Sequence, residues 1–205
     1  METIKYRGVE IEIKQDEMAE SPNEWESDNF LVYDHRDFYV EKKGFNPRDI
    51  FDYFEEHAFK KVLYQGHFVF MVYAYIHSGV ALSLGRNGYP FNDRWDVSST
   101  GNILIKRQKG VWTEAKARKI AEGLIETWNQ YLSGDVYGYN IEQFNESCWG
   151  YYEYDTCLQE AKGIVDWHLE EARKKRIVIL KQLIKSKVPL EYRQKQLLTL
   201  SSTYN

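Results

Sequence analysis

Between Trp128 and Tyr152 the chain reads WNQYLSGDVYGYNIEQFNESCWGYY, and few architectures accommodate such a stretch. Ser133-Gly134-Asp135 stops a helix, with glycine placed for a left-handed C-terminal turn. Two strands are predicted to follow, over Val136–Glu142 and Ser147–Tyr152. A hairpin carrying Tyr137, Tyr139, Trp149, Tyr151 and Tyr152 has more ring surface than water tolerates, so the rest of the fold is expected to pack around it. Gly138 and Gly150 are expected to leave bare backbone for a neighbouring ring to lie over.

The remaining pattern predicts an α+β fold: an antiparallel sheet with helices packed on one side, then a long C-terminal helical extension. Thr3–Tyr6 and Val9–Lys14 flank Arg7-Gly8 and alternate apolar with polar, the mark of a hairpin. Phe30–His35 and Phe38–Glu41 read as strands. Asn46-Pro47 offers a cap and a first-turn proline for a helix over Arg48–Lys60, with Ile50, Phe51, Phe54 and Ala58 at helical spacing. Phe68–Ile76 is continuously apolar, which predicts a central strand buried on both faces. His77-Ser78-Gly79 turns it into Val80–Leu84, and Gly85–Pro90 reads as a loop. A further strand is expected over Asn102–Lys106, and Thr113 caps a helix running to about Leu132. Asp155 is expected to cap a helix to about Lys187 that buries Leu158, Ala161, Val165, Leu169 and Ala172. Pro189 breaks it, and Leu190–Leu200 forms a short last helix. This organisation gives a core domain over residues 1–165 and a basic helical extension over 166–205.

Charge divides the chain more sharply than composition does. The net charge is −4. Residues 171–205 nevertheless hold nine Lys/Arg against two Glu, a surplus of +7, which leaves −11 for the rest. The extension carries Arg173, Lys174, Lys175, Arg176, Lys181, Lys185 and Lys187 beside Ile177, Leu180, Leu183 and Ile184. Two readings stand. In one, the cations are a solvated helix face supported by Glu170 and Glu171 four residues before Lys174 and Lys175, and the apolar side docks on the body or on a second copy as a homodimer. In the other, they contact nucleic-acid phosphates or an acidic protein surface. Opposite in sign, Asp16, Glu17, Glu20, Glu24, Glu26 and Asp28 form a run of six acidic residues with no basic one. Such a run is either solvated surface or an imitation of nucleic acid that occupies a basic groove.

Three stretches carry a resemblance: WDVSSTGNILI, YLSGDVYGY and SCWGYY, preceded by SPNEW and by strands ending in His35-Arg36 and His77-Ser78-Gly79. In this order and spacing they resemble a family of small proteins encoded by bacteriophages and other mobile elements, over roughly residues 21–165. The resemblance implies a job in host takeover or in blocking a defence system such as CRISPR or restriction. The chain would then be a non-enzymatic inhibitor that occupies a nucleic-acid or effector surface of a bacterial defence nucleoprotein or nuclease, in the host cytoplasm. It does not account for the basic extension.

Catalytic alternatives are few. Cys148, His77 and Asp96 all stand at strand ends or in the sheet, so a thiol, an imidazole and a carboxylate are available to a small hydrolase or transferase. Against that, Cys148 lies between Ser147 and Trp149 on an apolar strand, the setting of a buried, inert thiol. Asp96, Ser98 and Gly134-Asp135 read as residues that serve the backbone at turns. Asp34-His35-Arg36-Asp37 reads as an ion-pair corner. The five histidines show no metal-ligand spacing, no glycine-rich phosphate loop is present, and no cofactor is predicted. The longest apolar run is too short to span a bilayer and the N-terminal residues have no apolar core of a leader. Two cysteines therefore suit a reduced compartment with no membrane partner.

Overall fold

A computed structural model describes residues 1–56, 63–85, 91, 96–185, 189, 191–192 and 194–195. The predicted helix turn through Ala58 to Lys60, the loop over residues 86–90, Lys187 and most of the predicted last helix lie outside them. The class is α+β, with antiparallel sheets and a long C-terminal helix. Two sheets are present among the described residues. Contacts divide the chain into two compact units: residues 1–13, 139–148 and 155–205 form one, and residues 14–138 and 149–154 the other.

The larger unit is built on a sheet in the order β4 (Phe38–Val40), β3 (Phe30–His35), β8 (Val97–Lys106), β6 (His67–Ile76), β5 (Leu63–Tyr64), with β7 (Val80–Leu84) also pairing β6. The continuous apolar run therefore does form a central strand, flanked by β8 on one side and by β5 and β7 on the other. Alternate residues serve opposite faces, and each face carries a helix. Leu31, Tyr33, Phe70, Val72, Ile103 and Ile105 meet Ala117, Ala121, Ile125 and Trp128 of α2 (Glu114–Ser133). Phe30, Val32, Val69 and Leu104 meet Ile50 and Phe54 of α1 (Pro47–Glu56). With apolar residues at consecutive positions, both sides of these strands must be covered.

Both helices obey local signals. The Asn46 Oδ1 accepts from the Arg48 amide at 2.8 Å ahead of Pro47. Thr113 Oγ1 accepts from the Lys116 amide, and Gly134, at φ 73°, donates back into the last turn of α2. Asn129 of α2 pairs with both backbone groups of Leu82, accepting at 2.7 Å and donating at 3.0 Å. The helix thus satisfies part of β7 as a neighbouring strand would.

Two expectations about strands need correction. β8 begins five residues earlier than predicted, so WDVSSTG is mostly strand and not a turn. Its Gly101 lies opposite Tyr33 on one side and Val72 on the other, and a Cβ there would fall within the Tyr33 ring. The ring-over-glycine arrangement expected at Gly150 is found here; Gly150 is needed instead for its φ of +82°, with open space around it. Next to this contact β6 bulges between Val72 and Ala74. The Ala74 amide turns to the Tyr33 hydroxyl (3.1 Å), which donates in turn to the Ser98 carbonyl (2.7 Å).

The second sheet has the order β1 (Glu2–Tyr6), β2 (Val9–Gln15), β9 (Val136–Ile141), β10 (Glu146–Tyr152). β1 and β2 pair from Glu2↔Ile13 to Tyr6↔Val9. Their two-residue loop has φ 50° at Arg7 and 89° at Gly8, the left-handed pair that matches strand twist. Val9, Ile11, Ile13, Tyr139 and Ile141 are buried. β10 is different: it is an edge strand, and Ser147 through Gly150 are exposed. The aromatic hairpin is thus half core and half surface, and the largest core lies in the other sheet.

Candidate interaction surface

α3 (Tyr154–Lys185) supplies the most distinctive surface. It starts one residue before Asp155, which therefore sits in the first turn, where a carboxylate complements the helix dipole, and does not cap it. Cys157, Ala161 and Val165, spaced four apart, are its buried residues. Polar and ring contacts hold the same stretch within its unit. Tyr6 Oη donates to Asp166 Oδ2 at 3.1 Å and Arg7 pairs with Asp166. His168 stacks on Phe144 with ring centroids 4.3 Å apart, and its Nε2 is 3.1 Å from Glu146 Oε1. The Arg7 guanidinium, followed by the Tyr6 hydroxyl, holds the Asp166 carboxyl below its usual range.

No described residue of α3 beyond Val165 is buried. Leu169 and Ala172, expected in the core, are half-buried. Arg173, Lys174, Lys175, Arg176, Lys181 and Lys185 are all exposed, six cations on 13 residues, or about 20 Å of helix at 1.5 Å per residue. The apolar residues among them split. Leu180 and Leu183 remain half-buried, whereas Ile177, Val178 and Ile184 are 40, 54 and 66% exposed. Lys174 pairs with Glu171 three residues back at 3.0 Å, so the expected support by carboxylates is partly realised. Lys187 lies outside the described residues.

The acidic segment is a loop, fixed from below. Asn23, 8% exposed, accepts from the Leu31 amide at 3.0 Å and donates to the carbonyls of Leu31 and Glu41. Asp16 accepts from the Met18 amide and Glu24 from the Ser21 amide, both at 3.1 Å. Glu17, Glu20, Glu24, Glu26 and Asp28 are exposed and Asp16 is half-buried. A buried amide thus presents five carboxylates to solvent from one short loop.

The catalytic alternative is divided. His77 Nδ1 lies 3.0 Å from Asp96 Oδ2, with side chains 65 and 35% exposed. The Asp96 carboxylate therefore faces this imidazole, and among the described residues it accepts from no turn amide; its carbonyl accepts from the Ile76 amide at 2.7 Å. Cys148 belongs to the other compact unit, so neither unit by itself holds the three groups. Cys148 is exposed, contrary to the expected buried thiol, because both faces of β10 are uncovered from Ser147 to Gly150. Cys157 is the buried one, its thiol pushed up to about 11 by burial and then by the neighbouring Cys148. Among the other histidines, His67 is a core residue. It lies against the Phe30 and Phe45 rings, and burial, followed by the Lys106 charge, lowers its pKa. Asp34 pairs with Arg48 and Asp37 with Arg36, which makes the 34–37 cluster an ion-pair corner. Among the described residues no three His, Cys, Asp or Glu side chains are grouped so as to hold a metal ion. No helix among them is long and apolar enough to cross a membrane.

One feature escaped the reading of charge by halves. Residues 106–119 hold six Lys/Arg and one Glu inside the acidic body, and they form the corner between β8 and α2. A running count of charge over a dozen residues finds it; a split at residue 171 averages it away. Comparison of the chain with protein-family models, with curated proteins and with solved structures finds no match.

Proposed function

We propose that this chain is a non-enzymatic binding protein that inhibits a bacterial defence nucleoprotein, and that the outer part of α3 is the surface it uses. The observation that carries the reading is the co-exposure of six cations with Ile177, Val178 and Ile184 on one short length of helix. A helix kept exposed only for solubility has no use for three large aliphatic side chains in water. A surface that meets phosphates alone gains little from them either. A nucleoprotein offers both counterparts, anionic backbone and apolar protein side chain, in one place. The acidic loop at 16–28 supports the same class of partner from the other sign of charge, since carboxylates held from below by Asn23 can compete for a basic groove.

The test is protection. Cells carrying an active nucleic-acid-targeting defence system are challenged with phage while expressing the full chain. The variants R173A/K174A/K175A/R176A and I177S/I184S are compared with it. The full chain is expected to raise plaque counts and both variants to lose that effect while remaining folded. Protection equal in all three removes α3 as the surface; no protection against any CRISPR or restriction system removes the function.

A further inference from the structure

We propose that the corner between β8 and α2 is a separate contact site for single-stranded nucleic acid, with Trp112 as its stacking platform. Trp112 is 59% exposed, although Trp128, sixteen residues on, is 2% exposed in the core. The Arg107 guanidinium lies over the Trp112 ring, 5.6 Å from its centroid. Lys109, Lys116 and Lys119 are exposed on the same corner, the last two three apart on α2 and so on one face of it. Among the described residues none of these three lysines or Arg107 makes an ion pair.

The corner is also built to hold its shape. Gln108 and Val111 bridge across a tight turn, with the Val111 amide donating to the Gln108 carbonyl at 2.8 Å and Gly110 at φ +92°. The Arg107 amide donates to the Gly66 carbonyl at 3.0 Å. Thr113, the residue after the tryptophan, is fixed as the cap of α2. Trp112 is thus held between two anchored points and is not a side chain stranded on a mobile loop.

An exposed indole with Arg107 over its ring and three exposed lysines within seven residues of it selects among polyanions. Bases in a duplex are already stacked on one another, and an acidic protein surface offers a flat ring only where an aromatic side chain stands among its carboxylates. An unpaired strand offers both a phosphate for each cation and a base for the ring. This inference does not rest on the reading of α3, and the experiment separates them. Binding of a fluorescein-labelled oligothymidylate of about 16 nucleotides is measured by anisotropy in the R173A/K174A/K175A/R176A background, where the outer cations of α3 are reduced. Trp112→Ala is expected to weaken binding about 5- to 100-fold, and Trp112→Phe, which keeps a ring, by much less. The salt dependence should have a slope of about −3 if Arg107, Lys109, Lys116 and Lys119 each meet a phosphate, reduced by about two in K109A/K116A/K119A. Equal affinity of the Trp112→Ala protein and its parent overturns the proposal. So does a duplex that binds more tightly than the single strand, or polyglutamate that displaces the probe as well as unlabelled oligothymidylate does.

Discussion

The Tyr33 hydroxyl is the point at which this sheet is most open to a quantitative test. The bulge in β6 takes the Ala74 amide out of the ladder, and Ala74 is fully buried. Its acceptor is the Tyr33 hydroxyl at 3.1 Å, which donates onward to Ser98 at 2.7 Å. Tyr33→Phe keeps the ring over Gly101 but leaves one buried donor and one carbonyl without partners. A buried unsatisfied group costs about 1–3 kcal/mol. The Ser98 carbonyl belongs to a half-exposed residue and water can partly replace its donor, so the sum should be about 1.5–3 kcal/mol. For a chain of this size that is a fall in melting temperature of about 3–12 °C. Urea unfolding should show a lower midpoint at unchanged slope, and amide exchange should show Ala74 losing protection out of proportion to its neighbours. Gly101→Ala tests the other half of the arrangement, since its new methyl would occupy the ring's place; overpacking of this kind costs about 1–3 kcal/mol. That cost should largely disappear in a Tyr33→Ala background, a coupling readable as a double-mutant cycle. A Tyr33→Phe protein within about 0.5 kcal/mol of the parent, or a Gly101→Ala penalty indifferent to residue 33, would refute this account of the bulge.

Two further outcomes follow from the second sheet and α3. Iodoacetamide at pH near 8 should label one thiol in the folded protein, Cys148, and both only in urea, because Cys157 is buried with its thiol pushed up to about 11; equal labelling of both in the native state would contradict the burial of Cys157 on α3, and a protected Cys148 would contradict the exposure of β10. Asp166 has its pKa lowered in the folded chain, first by Arg7, so its contribution is present above the unfolded carboxylate value and lost as pH falls through the folded one. The gap in urea midpoint between the parent and Asp166→Asn should hold steady from pH 7 to about 4 and close below that. A gap that persists at pH 2 would show that the Arg7–Asp166 pair is not its source.

What the chain announces about itself is local. Thr113, Gly134, Asn46-Pro47 and Arg7-Gly8 mark ends and turns through the conformations and side-chain bonds of a few adjacent residues, and the structure has them where the spacing puts them. The run Phe68–Ile76 is also self-evident, because a strand with apolar residues at consecutive positions must sit in the middle of a covered sheet. The basic stretch of α3 is equally visible, since charge needs no fold to be counted. Tertiary structure decided the rest, because burial depends on what comes from elsewhere in the chain. Ser147-Cys148-Trp149 has the composition of a core strand, yet nothing covers either face of β10 there and those side chains stand in solvent. The glycine that lies under Tyr33 is Gly101, which only the pairing of β3, β8 and β6 could choose over Gly150. The charge of residues 106–119 can be counted without a fold, but the exposure of Trp112 with Arg107 over its ring is of the same kind. A strand end and a helix start, each ordinary alone, become a charged corner only when a tight turn folds one back against the other.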